Sequence, residues 1–230
     1  MKKILLALLA VCGAFEVLAQ SQNSVDSPVE AFKDINVSGE VVVTLVRGEN
    51  PAIVGHVNNA GTDKLEYFVK DSELFIRLKQ PFAVTPTMRS SATVTVTYNE
   101  LCSITSDGGT ILSPGVIEAP VIVITTIGGS NINLNMDTRD VEVESTNSVL
   151  NLSGSTEYLN IKAMAGAKIN SLEMECDNVN VQAHTTAECH VNAKVRLEAK
   201  AATRGRIYYK DDPEIIKVTH KTFGTVKKMQ

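Results

Sequence analysis

Apolar and polar residues alternate strictly in four short segments of the second half of the chain: Val141-Glu142-Val143-Glu144, Leu159-Asn160-Ile161-Lys162, Val179-Asn180-Val181-Gln182 and Val195-Arg196-Leu197-Glu198. A period of two is what a strand with one buried face requires. Two earlier segments, Leu101-Cys102-Ser103-Ile104 and Val121-Ile122-Val123-Ile124, join the series, and the first residues of the six lie 20, 20, 18, 20 and 16 positions apart. A turn follows each at equivalent places: Asp107-Gly108-Gly109, Ile127-Gly128-Gly129, Asn147-Ser148, Gly166 and Thr185-Thr186. Glycine and asparagine accept positive φ, so a sharp corner forms there at little cost. Beyond the corner lies a second short apolar stretch: Ile111 and Leu112, Ile132 and Leu134, Leu150 and Leu152, Ile169 and Leu172, Cys189 and Val191, and Ile207.

Two strands and two bends per roughly 20 residues make one turn of a solenoid, each turn stacked on the last at the ~4.8 Å strand spacing. The predicted fold is all-β, a single-stranded right-handed parallel β-helix over residues 101–230. Helical repeats of about 34 residues or more are excluded by the period, and the regular Leu and Asn lattice of leucine-rich repeats is missing. Residues 31–100 read differently, with strands predicted at 32–46, 65–70, 74–79 and 93–98 separated by Gly48 to Pro51 and by Val69 to Ser72. A solenoid needs its open edges covered, so this region is expected to form an N-terminal β cap. Residues 20–30, rich in Ser, Gln, Asn and Asp, read as a disordered lead-in. Lys2 and Lys3, the apolar run from Ile4 to Phe15 and the small Ala19 read as a signal peptide over 1–19, too short to span a bilayer.

The outward positions of the alternation form two columns: Cys102, Ile122, Glu142, Asn160, Asn180 and Arg196, then Ile104, Ile124, Glu144, Lys162, Gln182 and Glu198. From Glu142 onward they are polar. The first two coils are apolar there, so Cys102, Ile104, Ile122 and Ile124 form a candidate interface, covered by the N-terminal region or by a second molecule, and a homo-oligomer is one expected partner state. Neither column stacks two acids on adjacent coils, and Glu144 neighbours Lys162. That lack of convergence argues for a solvated face and against acid/base catalysis.

Composition removes further classes. Losing residues 1–19 takes two lysines and one glutamate from 22 basic and 26 acidic residues, so the remainder stays acidic and nucleic acid is not an expected partner. Cys102, Cys176 and Cys189 are an odd number without CxxC spacing and read as small apolar side chains. Asp137, Asp140, Glu142 and Glu144 lack the Asp/Asn/Gly spacing of calcium loops, and His56, His184, His190 and His220 are dispersed, so no metal is expected. No P-loop, dinucleotide fingerprint or nucleophile elbow occurs, and no cofactor is expected. Tryptophan is absent, and of the adjacent Tyr208 and Tyr209 one is expected to point inward, which weakens a sugar platform.

The order of several segments resembles a known family. Phe32 to Gly39, Lys70 to Ile76, Val96 to Leu101, the corners Ser106 to Gly109 and Gly128 to Ser130, and the closing Gly205 to Tyr209 with Pro213 are similar to the putative autotransporter adhesin, head GIN domain family, over about residues 31–226. The later corners, Asn147-Ser148, Ala165-Gly166-Ala167 and Thr185-Thr186, depart from its Ser-Gly pattern. The resemblance implies a β-helical protein, secreted or envelope-associated in Bacteroidetes-type bacteria, with no established catalytic residues. The expected function is a secreted, non-catalytic module presenting a long flat surface to an envelope or extracellular ligand, glycan or protein, in the periplasm or at the cell surface. A polysaccharide-processing enzyme and a structural envelope component are the alternatives.

Overall fold

The computed structural model describes residues 23–79 and 89–229. The expected signal peptide lies outside the described residues. Along the described chain run β1 (Ser24–Pro28), β2 (Asp34–Ser38), β3 (Val41–Arg47), β4 (Ala52–Asn58), β5 (Leu65–Lys70), β6 (Glu73–Leu78), β7 (Ser91–Tyr98) and β8 (Ser103–Asp107). Four long strands follow: β9 (Thr110–Ile127), β10 (Asn131–Thr146), β11 (Val149–Met164) and β12 (Lys168–His184). Then come β13 (Glu188–Asn192), β14 (Arg196–Ala202), β15 (Arg206–Lys210), β16 (Ile215–His220) and β17 (Thr225–Lys228). They build one β-solenoid of about 7 turns with ~19 residues per turn.

Each turn has a strand before the corner and one after it, which make two faces of the solenoid. On the first face one inward column reads Leu74, Ile35, Ile104, Ile124, Val143, Ile161, Val181 and Ala199, every neighbour in parallel register. On the second face the column reads Val94, Val43, Ile111, Ile132, Leu150, Ile169, Cys189 and Ile207. All sixteen side chains are at most 1% exposed. Burying an Ile, Val or Leu is worth about 1.5–3 kcal/mol, so these columns are the dominant favourable term in the fold.

At the corner the inward side chains become small: Ser106, Thr126, Ser145, Ala163, Ala183 and Ala201 stack in register, and the Thr126 hydroxyl donates to Ser145 Oγ at 2.9 Å. Small groups leave room for the chain to turn. The turn itself uses left-handed backbone at Gly108, Gly128, Asn147, Ala165, Thr185, Thr203 and Thr222, with φ between 49° and 76°. In the later corners threonine holds a conformation that β-branched residues rarely adopt.

Of eight side chains expected to form one buried stack, Val141, Val143, Leu159, Ile161, Val179, Val181 and Leu197 are at most 2% exposed, while Val195 is 37% exposed. Leu197, not Val195, pairs with Val179, because Lys194 and Val195 still belong to the preceding bend, where their amides donate to the Cys176 and Asp177 carbonyls.

The N-terminal region corrects two expectations. Residues 24–28 are not a loose lead-in: they form β1, antiparallel to β4, with Val25 buried and Ser27 Oγ accepting from Tyr67 Oη at 3.1 Å. Nor does parallel stacking wait for residue 101. Strands β2 and β3 form a full rung, placed between β6 with β7 on one side and β8 with β9 on the other. Beyond that rung, β5 lies antiparallel on β6, and β4 lies antiparallel on β7 with β1 outside it, so the N-terminal edge is taken over by reversed strands. At the other end β16 and β17 pair on one side only among the described residues, and Ile215, Ile216, Val218 and Phe223 are exposed.

Two substitutions test the stacking. Ile161→Ala removes the centre of the first-face column and should cost about 2–5 kcal/mol in a denaturant titration; an unchanged midpoint would contradict the column. Gly154 has φ 104°, and a Cβ there would overlap the Met136 carbonyl oxygen. Gly154→Ala should therefore lose on the order of 1–3 kcal/mol, read as a lower melting temperature.

Candidate functional site

Because the inward columns are locked, the outward side chains stack as well. The sequence-derived interface does not lie among them. Ile104, Ile122 and Ile124 are 0% exposed, facing the interior beside Val141 and Val143, and only Cys102 is exposed. Four consecutive β-branched or aliphatic residues, Val121 to Ile124, carry no alternation, so the sequence left their phase open by one residue. The structure puts Val121 and Val123 outward instead, so Ile104, Ile122 and Ile124 form no exposed patch.

On the first face the outward columns run Glu142, Asn160, Asn180, Glu198 and Glu144, Lys162, Gln182, Lys200. Glu142, Glu144 and Lys162 border a groove of ≈ 260 Å³ floored by the amides of Asn160, Asn180 and Gln182. The expected pairing of Glu144 with Lys162 is present at 2.6 Å, and it raises the lysine pKa. Glu198 accepts from Lys200 at 3.0 Å and Lys217 at 3.2 Å, which hold its carboxyl below the usual range. Such solvent-exposed pairs are screened by water and add little to stability. On the rungs either side of Glu142 and Glu144 stand Val123, Thr125, Asn160 and Lys162, so no second carboxylate stacks on them.

The other candidate groups stay apart. Asp137 accepts from the Ser155 hydroxyl at 2.8 Å, and Asp140 from Arg139 at 2.7 Å. His184 and His220 sit opposite Ala202 and Ala201 on the first face, while His190 lies on the second. Among the described residues no three His, Cys, Asp or Glu side chains converge as a metal site, and no helix is long and apolar enough to cross a membrane.

The second face carries a groove that sequence reasoning missed. Asn133, Asn151, Asn170, His190 and Tyr208 occupy one outward column on five successive rungs. Two contiguous depressions of ≈ 250 Å³ and ≈ 220 Å³ share Asn151 and Asn170. One wall holds Val149, Lys168 and Glu188. The other holds Leu172 and Glu173, next to Ser153. Leu172 reaches the surface through a register shift: Asn151 pairs with Asn170 but Ser153 pairs with Glu173, so β12 has one residue more than β11. Of the tyrosine pair, Tyr209 packs toward the core, and Tyr208 lies against the His190 ring with centroids 4.9 Å apart. His190 Nε2 is 2.9 Å from Glu188 Oε1, and Arg206 Nη2 is 2.7 Å from Glu188 Oε2; these two partners lower the Glu188 pKa. The sequence signal for this column is the recurrence of Asn at the polar positions of the second strand, at Asn133, Asn151 and Asn170.

Cys102, Cys176 and Cys189 are free. Burial pushes the Cys176 and Cys189 thiols up to about 12, so neither forms thiolate near neutral pH. In the chain from residue 20 onward, a maleimide at pH 7.5 should label only Cys102 rapidly and reach the other two after denaturation; equal labelling of all three would contradict their burial.

Comparison with known proteins follows the same geometry. The family profile described as putative auto-transporter adhesin, head GIN domain, matches residues 31–213. Among solved structures the fold is similar to a putative adhesin from Bacteroides fragilis, with TM-score 0.75 and 19% identity over 90% of this chain and 96% of that one. A putative adhesin from Parabacteroides merdae has TM-score 0.74 and 14% identity over the same shares. A putative lipid binding protein from Parabacteroides distasonis has TM-score 0.63 and 16% identity, again over 90% and 96%. At these identities the likeness concerns the fold. No curated protein matches the chain.

Proposed function

The chain belongs to the putative autotransporter adhesin, head GIN domain family, and from that premise we propose that it is an exported, non-catalytic surface-binding module of adhesin type. Its ligand is an envelope or extracellular glycan or protein, met in the periplasm or at the cell surface. The observation that carries the reading is the continuity of the outward columns: both faces present polar side chains in register across successive rungs, a repeated surface suited to an extended ligand.

The enzyme alternative has less support. Glu144 and Glu198 are held by lysines, and no carboxylate stacks next to Glu142 or Glu144, whereas glycan hydrolysis uses two carboxyl groups flanking the scissile bond. A lipid ligand, which the name of one solved structure raises, would need an apolar site; the interior of this solenoid is filled by its own stacked side chains and the grooves are floored by amides.

Purified chain from residue 20 onward should bind saturably to envelope fractions, secreted material or arrayed glycans. Failure to bind any of them would favour a structural envelope component. Incubated with neutral and uronate-containing polysaccharides, the protein should release no shortened products; turnover abolished by Glu142→Gln or Glu144→Gln would establish the enzyme reading instead.

A further inference from the structure

We infer that the groove on the second face, floored by Asn133, Asn151 and Asn170 and ending at His190 and Tyr208, is a binding site for an uncharged oligosaccharide lying along the solenoid axis. This rests on the surface-binding reading and names its ligand class and place.

The floor supplies the polar half of the recognition. The three asparagines stand on adjacent rungs with exposed side chains. Asn170 Oδ1 accepts from the Leu172 amide at 3.3 Å, while the Asn133 and Asn151 side chains make no hydrogen bond among the described residues. A primary amide carries a two-proton donor and an acceptor on one plane, which matches a hydroxyl that both donates and accepts. Asparagine is also a poor strand former. Three in register on a solvated face therefore disfavour the strands without adding packing, whereas threonine at the same positions would be both polar and β-favouring.

The ends and walls supply the apolar half. Tyr208 and His190 are half-buried rings tilted 33° to each other, an aromatic surface on which the C–H face of a sugar ring can rest while the phenol stays wet. Val149 is 45% exposed on one wall, and the extra residue in β12 raises Leu172 on the other. Apolar walls around a few convergent polar groups are the usual composition of a small-ligand site. The column from Asn133 to Tyr208 spans four rung intervals, ~19 Å at the parallel strand spacing, the scale of a short oligosaccharide rather than a single sugar.

Charge selects among glycans. Glu188 is neutralised by Arg206, and Lys168 and Glu173 oppose each other across the groove, so the fixed charges along the asparagine floor cancel; Lys227 stands one rung beyond Tyr208, past the end of the groove. Along the floor a uronate or phosphate chain finds no basic excess. A peptide is also a poorer fit, since extended peptides add to sheet edges and this column lies on a sheet face.

The test is calorimetric titration of the chain from residue 20 with neutral hexose and N-acetylhexosamine tetrasaccharides, alongside a uronate tetrasaccharide and an unstructured peptide. We expect binding to at least one neutral tetrasaccharide, weakened about fivefold or more by Tyr208→Ala and by Asn151→Ala with Asn170→Ala, as loss of a ring contact or of two hydrogen bonds predicts. Glu49→Gln, in the exposed turn between β3 and β4, should leave that affinity unchanged. All of these side chains are at least partly exposed, and unaltered melting curves would confirm that the variants fold. No binding to any neutral tetrasaccharide, stronger binding of the uronate or the peptide, or affinity indifferent to the second-face variants overturns the inference. If envelope material is still retained in those cases, the surface-binding function survives and only the site assignment falls; if nothing is retained, both fall.

Discussion

In-register stacking of inward side chains is the constraint from which the rest of this molecule follows. Ile124, Val143, Ile161 and Val181 occupy the same place on successive rungs, and each is held from above and below by a residue of like shape. Slipping one strand by a single residue would turn a whole row of isoleucine and valine outward. The burial that stabilises the core therefore also fixes which residues meet solvent. The outer columns of Glu, Lys, Gln and Asn are a consequence of the inner ones, and any binding surface on this solenoid inherits its spacing from the rungs.

The same constraint explains the irregular parts. A rung must turn at the same height each time, so the corners combine small inward residues with left-handed backbone, and from Thr185 onward threonine fills positions that glycine holds earlier. A local surplus residue has to go outward, as Leu172 does. The two ends differ because stacking has no natural stop: reversed strands β1, β4 and β5 close one end, and β16 and β17 leave the other unpaired among the described residues, with Ile216 and Val218 exposed where their counterparts Leu197 and Ala199 are buried.

How much of this could be read from the chain depended on how strictly polarity alternated. Glu142, Glu144, Asn160, Lys162, Asn180 and Gln182 separate apolar neighbours cleanly, and the columns there were legible, including the Glu144 to Lys162 pair. At Val121 to Ile124 every residue suits either side, so the phase was undetermined and the interface placed on Ile104, Ile122 and Ile124 pointed into the core. Val195 misled because an apolar residue in a bend imitates the start of a strand. The pairing of β1 with β4 and the placement of β2 and β3 between later strands are long-range choices with no local signature. The amide and aromatic column of the second face was present in the sequence as Asn133, Asn151, Asn170, His190 and Tyr208, but its significance required the register to be known.

Backbone hydrogen exchange resolved by residue tests the stacking most directly. If locked rungs hold the fold, amides of β10, β11 and β12, paired on both sides, will show the greatest protection and open together, while those of β16 and β17 exchange first from the free edge. Exchange in β10 to β12 as fast as in β16 and β17 would contradict the account.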